Sequence, residues 1–231
     1  MSVSPAAAAP SLVVRRSKRA RRLRLSLDPR SGAVRLPVPP GVGEARARAW
    51  AAGQREWIEA QRAALAPPAP IRPGMKVPLE GLPVPLDWTA GRPPGIRLDD
   101  GRIIAGGPVE GLPAALVGWL KGLARERLEA ESRAFASVAG LCLGRVSVGD
   151  AATRWGSCSP AGDLRYSWRL ILAPAFVRRA TVAHEVAHLA HMNHGPRFHA
   201  LVAGLLGEDP APARLWLRRE GGSLLRFGRE D

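Results

Sequence analysis

The alternation of hydrophobic and polar positions predicts short strands and one helix in the first half of the chain. Leucine and valine alternate with polar residues on both sides of a turn-forming stretch at residues 28–32, which predicts a β-hairpin over residues 21–38. A helix is predicted over residues 44–66, because four large apolar side chains are spaced to share one face: Trp50, Trp57, Ile58 and Leu65. Residues 67–108 are rich in proline and glycine, so small strands are expected there, with a turn at residues 99–101.

The second half of the chain predicts longer helices. A helix is predicted over residues 112–138 from an apolar stripe formed by Leu112, Leu116, Leu120, Leu123, Leu128 and Phe135. Strands are expected at residues 145–148 and, from strict alternation, at residues 164–172. A helix then follows from residue 174 to 191, and another begins at Pro196. This mixture of elements predicts an α+β fold.

These patterns divide the chain into three predicted parts. Residues 1–14 are small and apolar without periodicity, so a flexible N-terminus without a signal peptide is expected. Residues 15–109 form an N-terminal part with the hairpin, the helix and the small strands. Residues 110–231 form a C-terminal domain that contains the long helices.

The charge of the chain makes nucleic acid a candidate partner. The 231 residues include 34 Lys+Arg against 20 Asp+Glu, which gives a formal net charge of +14. Basic residues are densest between Arg15 and Arg24, where no acidic residue interrupts them. Such a segment attracts phosphate, so the N-terminal part could contact nucleic acid. An arginine-rich genome would produce the same bias without such a role, and both explanations stay open.

Composition excludes several classes of protein. The hydrophobic fraction of 46% is too high for a disordered chain. No apolar run reaches the roughly 18 residues that a membrane span needs, so no membrane partner is expected. Two cysteines, Cys142 and Cys158, do not make a disulfide scaffold, and the reducing cytoplasm is the expected location.

The histidines form the main candidate for chemistry. All five lie between His184 and His199, and residues 184–188 form an H-E-x-x-H motif within a predicted helix. Residues at i and i+4 lie on one helical face, so His184 and His188 could bind one zinc ion. In this motif Glu185 acts as the general base that takes a proton from the metal-bound water. The neighbouring residues are small or apolar, and histidines in such a buried helix would be costly without a partner.

A catalytic zinc ion needs a third protein ligand, and His194 is the preferred candidate. A helix that ends near residues 192–193, with Asn193 in a left-handed conformation, would let the chain turn back towards the metal. His191 is less suitable, because it lies about 10 Å along the helix axis from His184. A carboxylate on the following helix is the remaining alternative, namely Glu208 or Asp209.

Further candidates are expected beside the metal. His191 and His199 are more typical of residues near a metal than of ligands, and either could donate to a developing oxyanion. The segment Thr153-Arg154-Trp155-Gly156-Ser157-Cys158-Ser159 and the following strand predict a hairpin with an edge that could pair with an extended peptide. Arg154 and Tyr166 on this hairpin are therefore also candidates for substrate or oxyanion contact. Cys158 is expected to be a packed residue rather than a nucleophile.

Three ordered motifs resemble the YgjP-like metallopeptidase family, a bacterial group of zincin-type proteins similar to the SprT-like DNA–protein crosslink proteases. They are T-R-W-G-S-C-S at residues 153–159, W-R-L-I-L-A-P at 168–174 and H-E-V-A-H-L-A-H-M-N-H at 184–194. The resemblance implies a zinc ion held by His184, His188 and His194, with Glu185 as general base. It also implies a zincin-like core, a small antiparallel β-sheet plus the H-E-x-x-H helix, preceded by a smaller β-rich N-terminal part with a helix.

The leading hypothesis is a zinc-dependent metallopeptidase that acts on a protein or peptide substrate. The alternative is a DNA-associated protein, either a crosslink protease or a non-catalytic nucleic-acid-binding module with a structural zinc ion. In structural zinc sites protein ligands usually occupy all four coordination positions, often as cysteine, and a glutamate between the ligands has no function there. The motif therefore favours the enzyme.

Overall fold

The computed structural model describes residues 12–229, which fall into two compact units. The first unit contains the chain up to Ala69 together with the segment from Leu225 onwards. The second unit contains Pro70–Leu224. The sequence predicted a boundary at residues 109–110, whereas the structure groups residues 70–109 with the C-terminal elements.

The first unit is a three-stranded sheet with two short helices. Its strands are β1 (Leu12–Arg16), β2 (Ser26–Leu27) and β3 (Val34–Val38), and β3 lies between the other two, parallel to β1 and antiparallel to β2. Helices α1 (Glu44–Ala52) and α2 (Arg55–Ala63) follow. Together they bury a small apolar core of Leu25, Val34, Leu36, Val38, Ala47 and Ala51.

Three predictions for this unit need correction. The hairpin predicted over residues 21–38 pairs only from Ser26 onwards, around the predicted turn. Residues 12–14, predicted to be flexible, belong to strand β1, and the rest of the predicted 1–14 terminus lies outside the described residues. The helix predicted over residues 44–66 is divided at residues 53–54, where Gly53 favours a break.

The second unit begins with a four-stranded sheet and a long helix. The expected small strands are β4 (Lys76–Leu79), β5 (Leu82–Thr89), β6 (Gly95–Asp99) and β7 (Arg102–Gly106), in the order β4-β5-β7-β6. Helix α3 (Leu112–Val138) confirms the predicted bounds. Its buried residues recur mostly at intervals of four, and Ala124 rather than the predicted Leu123 lies in this stripe.

A second, three-stranded sheet precedes the histidine helix. Strand β10 (Leu164–Ser167) pairs in parallel with β8 (Val146–Gly149) and antiparallel with β9 (Gly156–Cys158). The sheet is therefore mixed, not antiparallel as the resemblance implied. The predicted strand 164–172 also ends early, because residues 168–172 form a 3₁₀ helix that is buried on all sides and has no solvent face to alternate.

Three further helices follow: α4 (Ala175–Ala187), α5 (Pro196–Leu206) and α6 (Ala211–Arg226), of which α6 has its last two residues in the first unit. Helix α5 begins at Pro196 as predicted, whereas α4 ends four residues before the predicted residue 191. No helix of residues 12–229 is both long and apolar enough to cross a membrane. The fold class is α+β, with small mixed sheets and six α-helices in the described part of the chain.

Residues 70–109 belong to the second unit because their β4–β5 turn is bonded to it. The turn residues Glu80 and Gly81 donate their backbone N–H groups to the carbonyls of Ile171 (2.7 Å) and Leu172 (3.2 Å). The Glu80 carboxylate also accepts a hydrogen bond of 2.8 Å from the buried guanidinium of Arg178 on α4. These bonds fix the four-stranded sheet of the second unit to the first half of helix α4 and to the 3₁₀ helix before it.

Candidate metal centre

Helix α4 carries His184 and His188 at the end of a fully buried segment. Val182, Ala183, Val186 and Ala187 are each 0% exposed, so the apolar side of the helix fixes its position in the core. His184 lies in the last turn of α4, and His188 is its C-cap residue with helical backbone angles. The two imidazoles therefore keep the i, i+4 relationship that the sequence predicts.

A tight turn after α4 brings His194 back to the helix. The backbone of residues 189–191 still donates to the carbonyls of Val186 and Ala187, and the chain then reverses. The Gly195 N–H donates to the Asn193 carbonyl (2.9 Å), which closes a three-residue turn with His194 at its centre. Asn193 is not left-handed, contrary to the prediction, because the described non-glycine residues with positive φ are Glu80 and Asp100.

The three imidazoles form a cluster with the dimensions of a metal site. His184, His188 and His194 each offer a ring nitrogen, and these atoms lie within 4.8 Å of one another. The Nε2 atoms of His184 and His194 are 3.1 Å apart. Two nitrogens bound to one tetrahedral zinc ion at their usual distance lie about 3.3 Å apart, so the His184 and His194 nitrogens have the spacing of two zinc ligands.

Contacts behind the cluster orient the rings. The Nδ1–H of His188 donates to the carbonyl of His191 (3.0 Å), which leaves Nε2 of His188 for a metal. Phe198 at the start of α5 packs against all three imidazoles, with ring centroids 4.7–4.9 Å apart. Phe198 is 1% exposed and so closes one side of the cluster to solvent.

The electrostatics of the cluster favour neutral imidazoles, the form that binds metal. The pKa of His184 is lowered to about 4, mainly by burial and in addition by the positive charges of His188, His194, Arg214 and His199. Burial also lowers the pKa of His188, although its hydrogen bond to the His191 carbonyl acts in the opposite direction. Three imidazole nitrogens in one cluster are a donor set typical of zinc sites.

Glu185 lies beside the cluster in a confined position. Glu185 directly follows His184 on α4 and is only 6% exposed. Burial raises the pKa of Glu185 to about 7, and the positive charge of Arg154 opposes this shift. The backbone of Gly156 in β9 lies directly against the carboxylate, so that a β-carbon at residue 156 would lie 2.5 Å from Oε1. Gly156 lies within the T-R-W-G-S-C-S motif, but its contact with Glu185 is tertiary and has no signal in the local sequence.

An apolar cavity of about 280 Å³ opens next to His184 and Glu185. Its wall includes Phe198, Val202, Ala213 and Leu217 from helices α5 and α6. Two exposed arginines also line it, Arg154 from the β8–β9 loop and Arg214 from α6, and neither forms an ion pair with another described residue. The cavity therefore combines an apolar interior with positive charge close to the histidine cluster.

A comparison with protein families identifies this arrangement. A family model described as "YgjP-like, metallopeptidase domain" matches residues 21–220. The chain belongs to the YgjP-like metallopeptidase family. No curated protein and no solved structure matches the chain significantly. The family match includes the histidine cluster, Glu185 and the segment at residues 153–159.

The other candidates occupy different places in this YgjP-like chain. Arg154 and His199 line the cavity together with His184 and Glu185, as a substrate contact requires. His191 instead lines a separate depression with residues 192–197, and its carbonyl rather than its ring contacts the cluster.

Tyr166 does not reach the cavity. It is 1% exposed, and its hydroxyl is hydrogen-bonded to Ser132 Oγ of α3 at 3.1 Å. Burial raises the pKa of this hydroxyl, which further separates Tyr166 from proton transfer. The prediction that Tyr166 contacts substrate is therefore wrong, because alternation along β10 turns this side chain into the core.

The alternative ligands and the cysteine are also accounted for. Asp209 Oδ1 accepts a hydrogen bond from the Ala211 N–H (2.9 Å) at the start of α6, and neither Asp209 nor Glu208 belongs to the cluster. Burial raises the pKa of the Cys158 thiol, and the negative charges of Glu185 and Asp163 act in the same direction. A reactive cysteine needs the opposite shift, which argues against Cys158 as a nucleophile.

Proposed function

We propose that this YgjP-like protein is a zinc-dependent peptidase of the H-E-x-x-H type with a zincin-like core. His184, His188 and His194 are the proposed ligands, and Glu185 is the proposed general base. The observation that supports this most strongly is the 3.1 Å approach of His194 Nε2 to His184 Nε2, next to the buried Glu185. His194, which lies beyond the end of α4, adds the third nitrogen that this helix alone cannot provide.

The proposed chemistry needs only a few groups of the chain. The chemistry that a bound zinc ion would supply is polarisation of the scissile carbonyl and a lowered pKa of the attacking water. The Glu185 carboxylate accepts a proton from the attacking water and later returns it to the leaving amine. A pKa near 7 suits a group that must both accept and donate a proton near neutral pH. Arg154 and His199, which line the cavity, are the proposed donors to the developing oxyanion.

Strand β9 supplies a path for an extended substrate. It is an edge strand in the order β8-β10-β9, and its first residue is the Gly156 that contacts Glu185. A peptide that adds to this edge by backbone hydrogen bonds would pass beside the general base. The adjoining apolar cavity would then accept an apolar side chain of that peptide.

Removal and return of the metal tests this function. The purified chain is dialysed against a chelator and assayed with a quenched fluorescent peptide library before and after one equivalent of zinc is added. We expect no hydrolysis by the metal-free protein and recovery on zinc addition, with no recovery in His194→Ala. Hydrolysis at an unchanged rate by the metal-free protein would contradict the proposal.

A further inference from the structure

The first unit carries a groove in which two tryptophans and two arginines meet. Its lining residues are Arg22, Leu23, Arg24, Leu25, Trp50, Gln54 and Trp57. Trp50 is 36% exposed and Trp57 is 39% exposed, although the sequence pattern predicted both on the buried face of one helix. Large aromatic side chains that line a groove instead of the core offer flat surfaces to a ligand.

The arginines of this groove have no acidic partner among residues 12–229. All seven basic residues from Arg15 to Arg24 are exposed, and none forms an ion pair with another described residue. Three nearby acids bind other arginines: Asp28 binds Arg30 and Arg35, Glu44 binds Arg48, and Glu59 binds Arg55. The positive charge beside the two tryptophans is therefore left for an external anion.

We propose that this groove binds single-stranded nucleic acid. Unpaired bases would stack on the indoles of Trp50 and Trp57, while Arg22 and Arg24 would contact the phosphates. The tryptophans favour a single strand over a duplex, because in a duplex the base faces are already stacked on one another. They also favour nucleic acid over an acidic peptide, which would pair with the arginines and leave the indoles without a matching surface.

An anionic membrane fits the same groove less well. Membrane-binding tryptophans protrude from a convex surface, whereas Trp50 and Trp57 are about two-thirds covered and line a depression. The exposed acids Glu56 and Glu59 are carried by the same helix α2 as Trp57, and their negative charge disfavours a flat anionic surface. A single strand can follow the arginine side of the groove and avoid them. This binding site is independent of the proposed peptidase activity.

Fluorescence anisotropy with the full chain and a labelled 15-nucleotide oligo(dT) tests the proposal over a salt series. Trp50→Ala and Trp57→Ala should each weaken binding roughly five- to hundredfold, the range expected for loss of one base stack. Arg22→Gln/Arg24→Gln should reduce the slope of log Kd against log salt by about 1.4, for two lost phosphate contacts on a single strand. Circular dichroism and thermal melting verify that each variant is folded.

A matched control and two competitors make the test decisive. Arg97→Gln/Arg102→Gln removes the same charge from exposed positions of the second unit and should leave the slope unchanged. Quenching of tryptophan fluorescence by the oligonucleotide in the wild type should report the stacking without any mutation. Equal affinity for a matched duplex, preference for phosphatidylserine vesicles, or unchanged binding in both tryptophan variants would overturn the proposal.

Discussion

The backbone of Gly156 lies directly against the carboxylate of Glu185. A β-carbon at residue 156 would lie 2.5 Å from both Oε1 and Cγ of Glu185, well inside van der Waals contact. Because the contacted atoms all belong to the Glu185 side chain, a β-carbon at this position would have to displace either the carboxylate or strand β9. The position of the proposed general base depends on this contact.

Replacement of Gly156 should damage catalysis more than folding. In Gly156→Ala the new methyl group displaces either the carboxylate or the strand, so we expect kcat for peptide hydrolysis to fall on the order of a hundredfold. Zinc content should stay unchanged, since residue 156 does not contact the ligands' ring nitrogens. Steady-state kinetics and metal analysis of the same preparation check both expectations.

Gly122→Ala is the matched control for this change. A β-carbon at Gly122 in α3 meets nothing within 4 Å, so alanine should raise the free energy of unfolding by about 1 kcal/mol and leave kcat unchanged. Wild-type kinetics in Gly156→Ala would show that the close approach to Glu185 has no role in the reaction.

Loss of His194 should weaken metal binding, because it removes the ligand that the turn brings to the helix. We expect zinc affinity to fall at least about a hundredfold in His194→Ala, more than the loss of an outer contact would cause. Competition with a chromophoric chelator measures this. In His191→Ala the carbonyl that holds His188 remains, so affinity should stay within about tenfold. The opposite order of the two variants would identify His191 as the ligand.

Arg178 should be a large contributor to stability, because it joins three parts of the second unit. Its side chain is 5% exposed and binds Glu131 of α3 (2.9 Å) and Glu80 of the β4–β5 turn (2.8 Å). Arg178→Met leaves the largely buried Glu131 carboxylate without its partner. The free energy of unfolding, measured by urea denaturation, should therefore fall by about 3–5 kcal/mol.

The exposed pair of Arg133 and Glu129 provides the comparison for Arg178. The side chains of Arg133 and Glu129 are 63% and 37% exposed on one face of α3, so Arg133→Met should lower the free energy of unfolding by less than about 1 kcal/mol. If Arg178→Met and Arg133→Met lower the free energy of unfolding equally, burial of the Arg178 ion pairs adds nothing to stability.

The cavity beside His184 should set the preferred substrate side chain. Leu217→Trp narrows the cavity and Leu217→Ala widens it. The ratio of kcat/KM for peptides with a large apolar residue to kcat/KM for peptides with a small one should therefore fall roughly tenfold in Leu217→Trp and rise roughly tenfold in Leu217→Ala. Leu215→Trp changes an exposed residue of the same helix, outside the cavity, and should leave the ratio unchanged. A ratio that does not respond to residue 217 would separate this cavity from substrate binding.

Local spacing explains which features the sequence could predict. The bounds of α3 follow from an apolar stripe on a single helix, and the pairing of His184 with His188 follows from the geometry of one turn. The turn at residues 99–101 was predictable for the same reason, because Asp100 and Gly101 adopt positive φ locally.

Features that depend on distant contacts could not be predicted in this way. Residues 168–172 are buried on all sides, so their side chains carry no pattern that distinguishes a strand from a 3₁₀ helix. The parallel pairing of β1 with β3 and the approach of Gly156 to Glu185 join segments far apart in sequence. Tyr166 was misplaced because alternation predicts a buried face and an exposed face but not which of them lines the cavity.

The zinc content and the peptidase rate of Glu185→Gln, measured on one preparation, test the proposed roles of the motif together. We expect one zinc ion per chain, as in the wild type, and a loss of kcat of at least about a hundredfold, because glutamine keeps the shape but cannot accept a proton. Glu126→Gln, an exposed change on α3, should retain both properties. Full zinc content with a wild-type rate in Glu185→Gln would contradict the proposed mechanism.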